Sequence, residues 1–418
     1  MIYLCVFIIE VIILAIIEKL QWGKWLTPLN VLSLPYTVAV IVAILYKEVA
    51  PNIPEFYYPS FIVWIIGLLF FEIPSAFLAK SIRKGYKRKY FSIEISHGDD
   101  SYILLRNIAF ICIAVSLLKI RSLSGSLDSF GSDDFSSQYQ TSGVFNHLSV
   151  LLGCIFSYVI YKCDFNHKSS FIIIVGSLIG MYAIGTKSWI IAPMLIGYYA
   201  RLLTGKTKFN VKTTILPVVI IFGIFFFSYY LSIIVVGGVD VSNEFLLFIG
   251  NHFVDYFCGG ALTLSLDYKM GFVEPQMTEA LFGPLLNIFN AIFGFDYINV
   301  VNPIFIDIGD LGSSNVRTFF GTILAYSKSP VLFILLTFIY SFSIYYIYAL
   351  LCKSNSVFLL LANTSNLTFL TLGFFDFYWL TLSCYEICII FLVMHYFLYI
   401  KKRRIKITFN SKRYKLQW

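Results

Sequence analysis

Long apolar runs broken by short polar turns set the pattern of this chain. A membrane-crossing helix needs roughly 20 predominantly apolar residues. Runs of this kind cover 1–17, 28–46, 60–80, 101–120, 146–162, 169–185, 189–204, 213–236, 329–352, 357–375 and 379–400. The pattern predicts an all-α polytopic membrane protein with about eleven transmembrane helices. Between the eighth and ninth runs lies 237–328, a 92-residue stretch and the only long interval without an obvious span. The chain thus reads as helices 1–8 over 1–236, a loop over 237–328, helices 9–11 over 329–400 and a basic tail over 401–418.

Helical spacing returns inside the loop. Asn243 followed by 244–268 reads as a helix with Asn243 as its N-cap. Glu244, Asn251, His252 and Asp255 fall on one stripe of that helix. Gly259-Gly260 permits another backbone to approach closely. A second apolar segment, 280–295, reads as a helix lying on the membrane surface. The stretch 307–318 is polar and rich in turn residues.

Composition agrees with the pattern. The chain is 58% hydrophobic and 13% charged, against about 25% charged in soluble domains. The run 1–17 lacks a basic start, and Lys19 follows it, so no cleavable signal peptide is expected. The eight cysteines lie mostly in apolar runs and read as small packing residues.

The basic residues set an orientation. If the run from Lys80 to Lys89 is cytoplasmic, alternation places 23 Lys and Arg on that side and 7 on the other. This puts the N-terminus and the long loop outside and the C-terminus inside. The loop then has a net charge of −6, which argues against nucleic acid and anionic lipid as its partners. The tail from Lys401 to Lys415 reads as an anchor on anionic lipid.

Candidate chemistry is sparse. There is no phosphate-binding glycine loop, no paired-cysteine motif and no pair of histidines at metal spacing, so neither cofactor nor metal is expected. His252 and Asp255 stand three residues apart and share a helix face. Such a pair suits a general base and the carboxylate that orients it; a solvated polar stripe is the plain alternative. Lys187, in the short turn Gly185-Thr186-Lys187-Ser188, is a cation near the membrane surface that suits a diphosphate or marks a helix end. Arg121 and Arg317 are the two external arginines, either phosphate forks or interface anchors. Glu10, Glu72 and Glu386 fall within apolar runs and are expected to line a polar interior.

Three stretches carry a family resemblance: the Gly185-Thr186-Lys187-Ser188 turn, the run 255–261 with its aromatics and Gly259-Gly260, and Ser314-Asn315-Val316-Arg317-Thr318 before the next span. With one long late loop among many spans, the chain resembles the O-antigen polymerases, the Wzy-type oligosaccharide repeat-unit polymerases of bacteria. Arg317 stands where an aromatic is common in that family, so the third stretch matches in part. The resemblance implies a GT-C-like fold in the inner membrane. It also implies a periplasmic glycosyltransferase that joins undecaprenyl-diphosphate-linked oligosaccharide units. The implied partners are that lipid-linked substrate, membrane lipid and a polysaccharide chain-length regulator. His252 and Asp255 would be catalytic, and Lys187, Arg317 and Arg121 would hold the diphosphate. Tyr256, Asn315, Asp307 and Asp310 would bind substrate. A flippase of the same lipid-linked unit and an O-antigen ligase are the competing readings.

Overall fold

A computed structural model describes residues 1–83, 100–123, 135, 138–139, 143–162, 168–185, 188–230, 242–272, 278–327, 329–351 and 356–401. The helices, in chain order, are α1 (Ile2–Trp22), α2 (Pro28–Tyr46), α3 (Phe61–Arg83), α4 (Asp100–Leu123), α5 (Gly143–Lys162), α6 (Lys168–Tyr182) and α7 (Ser188–Leu203). They continue as α8 (Val211–Tyr229), α9 (Asn243–Met270), α10 (Gly283–Phe293), α11 (Thr318–Ser327), α12 (Pro330–Leu351), α13 (Val357–Thr371) and α14 (Leu382–Met394). A two-stranded hairpin, β1 (Ile306–Asp307) and β2 (Ser313–Ser314), pairs Ile306 with Ser314 and Asp307 with Ser313. Helices dominate because a helix satisfies its own backbone polar groups where lipid offers no partner.

Each of the eleven predicted runs holds a helix. Among the described residues, seven helices are long and apolar enough to cross a membrane: α2, α3, α4, α5, α9, α12 and α13. α1 is 21 residues long but carries Glu10, Glu18 and Lys19. α6, α7, α8 and α14 are shorter apolar helices. One of these seven, α9, departs from the sequence expectation, because it lies in the interval that showed no obvious span. Its apolar window is the least apolar of the seven, since Asn251, His252 and Asp255 interrupt it. A scan for apolar runs passes over such a helix.

Two helix starts also differ from expectation. The N-cap of α9 is Ser242, whose hydroxyl accepts from Phe245 N at 3.1 Å; Asn243 is the first helical residue. Ser and Asn cap about equally well, so adjacent candidates cannot be ranked from sequence. The apolar segment 280–295 begins as a tight turn, Thr278–Phe282, and becomes α10 only at Gly283. Asn287 holds the returning chain through both its amide and its carbonyl: Nδ2 donates to Ile298 O and Oδ1 accepts from Ile298 N. Phe289, Ile292 and Phe293 stay exposed on α10.

The chain forms two compact units. The first gathers Met1–Arg88, Val241–Leu350 and Asn366–Cys384; the second gathers Lys89–Asp240, Leu351–Ser365 and Tyr385–Trp418. The core of the first unit is aromatic. Tyr36 stacks on Trp64 with centroids 3.6 Å apart, Trp64 meets Phe320 edge-on, and Phe71 touches Phe319, Phe320 and Tyr345. In the second unit, α5 is buried along most of its length and packs tightly against α7. A Cβ at Gly197 would lie 2.5 Å from Ser157 O, so only glycine permits that approach.

Candidate functional site

The first unit brings several polar stretches together around α9. This helix runs antiparallel to α2. The Tyr46 hydroxyl donates to Asn251 Oδ1 at 2.6 Å, and Cys258 Sγ donates to Ala39 O at 3.3 Å. Past Cys258 the two glycines open the face of α9. A Cβ at Gly259 would lie 3.6 Å from Ser314 Oγ, and one at Gly260 would lie 2.2 Å from Phe375 O. The sequence thus lets β2 and the 372–377 turn settle onto the helix backbone. Tyr256 and Phe257 flank the contact, Tyr256 stacked on Phe375 and Phe257 against Phe374.

The chain leaving β2 closes the arrangement. Arg317 is 3% exposed and pairs through Nε with Asp267 Oδ2 on α9. Its Nη1 donates to Asn315 O at 3.2 Å, and Asn315 Nδ2 donates to Asn302 O at 2.8 Å. Thr318 follows with φ 66°, and its N–H donates to Phe375 O at 3.0 Å. A left-handed conformation is unfavourable for a β-branched residue and costs about 1–3 kcal/mol. Its hydroxyl accepts from Trp64 Nε1 at 3.3 Å and faces Gly321 N, so it caps the start of α11.

Asp376 sits in the turn opposite. Its carboxylate accepts from Phe377 N at 2.7 Å, from Thr322 Oγ1 at 3.2 Å and from the backbone N–H of Arg317. Burial raises its carboxyl to about 6, and the hydrogen bonds and the Arg317 charge only partly oppose this. Tyr326, on α11, is pushed up to about 12 by burial and by the nearby Asp376 charge. Its hydroxyl donates to Val300 O at 3.0 Å. The result is a polar centre in which Asp267, Arg317, Thr318 and Thr322 are buried and Asp376 is half-buried, beside the more exposed face of α9.

The expected site residues fall unevenly around this centre. His252 is half-buried on α9, edge-on to Phe248 with centroids 4.4 Å apart. Asp255 is half-buried one turn later, and its carboxylate makes no hydrogen bond or ion pair among the described residues. Tyr256 is 42% exposed. Asp307 and Asp310 are exposed on the hairpin; Asp307 Oδ1 accepts from Gly309 N at 2.8 Å and Asp310 Oδ1 from Asn52 Nδ2 at 3.0 Å. Arg317 differs from expectation, being an interior residue whose charge Asp267 neutralises. In this arrangement it cannot also serve as an open cation at the membrane surface. In the second unit, Arg121 is exposed in the last turn of α4, and Lys187 lies outside the described residues.

Sequence reading passed over several of these groups. Asp376 sits in a break between two apolar runs and belongs to no motif. The Asp267–Arg317 pair joins residues fifty apart, a separation that local spacing does not reveal. In the second unit, His147 Nδ1 meets Glu386 Oε1 at 2.8 Å across 239 residues, supplying the acid that His147 lacks within its own helix. Among the described residues, no three of His, Cys, Asp and Glu converge to hold a metal ion.

Neither the curated proteins nor the solved structures compared with this chain gave a match. One family profile does match, over residues 52–405, spanning α9, the hairpin, Arg317 and Asp376. The chain therefore belongs to DUF6337, a family of unknown function.

Proposed function

We propose that this chain is a polysaccharide repeat-unit polymerase, a glycosyltransferase acting on polyprenyl-diphosphate-linked oligosaccharides at the outer face of a bacterial inner membrane. One observation carries the reading. The two loop stretches that resemble the O-antigen polymerases, 255–261 and 314–318, are distant in sequence yet meet on α9. Gly259 faces Ser314, and both Gly260 and Thr318 meet Phe375 O.

In the proposed step, an acceptor hydroxyl attacks the reducing-end anomeric carbon of the growing chain. The bond from that carbon to the lipid diphosphate breaks, and its electron pair leaves on the diphosphate oxygen. His252 takes the hydroxyl proton, and Asp255, one turn later and not bonded to the ring in the free chain, closes on it to orient it when substrate binds. Tyr256 offers an exposed aromatic face to a sugar, and Asp307, Asp310 and Asn315 are the polar groups proposed to bind its hydroxyls. The diphosphate needs a cation, and Lys187 and Arg121 are the candidates that the sequence offers. Arg317 acts differently, as a positioning residue that ties α9 to the start of α11.

The proposal includes eleven crossings with the N-terminus outside, supported by the 23-to-7 division of basic residues, and the GT-C-like arrangement that the family resemblance implies. The packing of α9 along α2 favours a second arrangement in which α9 also crosses.

The test is transfer between purified lipid-linked repeat units by the purified chain. Polymer should form, and His252→Ala should lower the rate by about 10²–10⁴-fold, the usual weight of general acid–base catalysis. Asp255→Asn should give a smaller loss. Units moved across a vesicle bilayer without lengthening would identify a flippase. Transfer only onto a lipid core acceptor would identify a ligase. Full activity of His252→Ala would remove the base from this histidine.

A further inference from the structure

A second polar centre lies in the first unit, where α1, α3 and α12 meet. Glu18 is fully buried, Ser75 is fully buried and Glu72 is 8% exposed. Glu18 Oε1 accepts from Ser75 Oγ and, at 2.8 Å, from the Tyr345 hydroxyl. Glu72 Oε1 accepts from Gln21 Nε2 at 3.0 Å, and Trp22 Nε1 donates to Ser75 Oγ at 2.9 Å. The N-terminal end of α2 joins them, because Leu29 N donates to the Tyr345 hydroxyl at 3.2 Å. The buried Thr27 hydroxyl lies beside Glu18 and has no other partner among the described residues.

The nearby cations point elsewhere. Lys19 Nζ lies 4.5 Å from the centre of the Trp25 ring and Lys24 Nζ 5.7 Å from that of Tyr348. No ion pair reaches Glu18 or Glu72 among the described residues. The two carboxyls belong to one buried network, joined through Ser75 and Gln21, whose Oε1 lies 3.1 Å from Ser75 Oγ, and Oε2 of each carboxyl is buried without a protein donor among the described residues. Two ionised carboxylates are acceptors only and cannot bond to one another. Two adjacent buried negative charges are also strongly unfavourable. A single proton between them supplies the missing donor and halves the charge.

We propose that Glu18 and Glu72 form a proton-binding site, one proton held between the two carboxyls at the junction of α1, α3 and α12. Glu18 keeps the negative charge, because two hydroxyls donate to it and the N-terminal end of α2 reaches it through Tyr345. Glu72 carries the proton and donates it. The aromatic layer of Phe71, Phe319 and Phe320 lies between Tyr345 and Thr318, so this site is separate from the Asp376 centre.

Infrared difference spectroscopy of the full chain in lipid nanodiscs at neutral pH reads the proton directly. The spectrum of the wild type minus Glu72→Gln should show one protonated-carboxyl C=O band that shifts in D₂O. Glutamine is close in shape to the protonated acid and keeps a donor toward Glu18, so the fold should survive. Glu18→Gln should keep the band and shift it, because Glu72 then donates to an amide oxygen. Adding sodium should leave the band unchanged. A band unaffected by either substitution, no band at all, or a band removed by sodium would each overturn the shared proton.

Discussion

Asp376 accepts three hydrogen bonds, yet its carboxyl stands at about 6 rather than the ordinary 3.8. Burial costs the charged form more than those partners return. The folded chain therefore holds this proton more tightly than the unfolded chain does. The stabilisation is fully present below pH 3.8 and is lost as pH rises through about 6. Thermal unfolding followed from pH 4 to 7 should show the wild type losing up to about 3 kcal/mol from this group. Asp376→Asn should lack that component, and an identical pH profile in the two proteins would refute the assignment. The other charge in this centre behaves differently. Arg317→Ala leaves Asp267 buried and unpaired, a change that costs about 3–5 kcal/mol. Less protein should then accumulate in the membrane, and Arg317→Met with Asp267→Leu should recover much of it. Loss of activity at normal protein levels would instead return Arg317 to a ligand role. Sequence identified Arg317 as chemically important, but its partner is fifty residues away and its burial depends on tertiary packing.

At the scale of elements, α9 was legible as a helix and illegible as an apolar one. Its polar stripe was visible in Glu244, Asn251, His252 and Asp255, and the same stripe concealed how apolar its other faces are. Gly259-Gly260 was legible as a site of close approach, though not the backbone that approaches. A Cβ on Gly260 meets a carbonyl oxygen, which has no rotamer by which to yield. Gly260→Ala should therefore cost about 1–3 kcal/mol. Gly250→Ala, where a Cβ meets nothing within 4 Å, should be neutral or slightly stabilising. Melting temperatures of the two variants settle this, and equal values would mean that the 372–377 turn adjusts freely. The polar residues of α10 were also visible in sequence, but their task was not. Asn287 binds the returning chain, which leaves the outer face of that helix wholly apolar.

At the scale of the whole molecule, the alternation of basic residues and the length of α9 give different accounts of the same stretch. Eleven crossings place Ser242 and Ser354 on opposite sides of the membrane. If α9 also crosses, and 278–327 stays on one side, the two serines share a side. Reporter fusions at the two positions separate these cases. The apolar runs made the helices readable, because each run is local. The two units were not readable, because each is assembled from separate lengths of chain. That assembly bears on the order of events during synthesis. Phe375 O receives the Thr318 N–H and packs on Gly260, and the Asp376 carboxylate takes the Arg317 N–H. All of α9 and α11 must therefore leave the ribosome before the residues that complete their contacts exist. The first unit waits, half assembled, for nearly the last tenth of the chain.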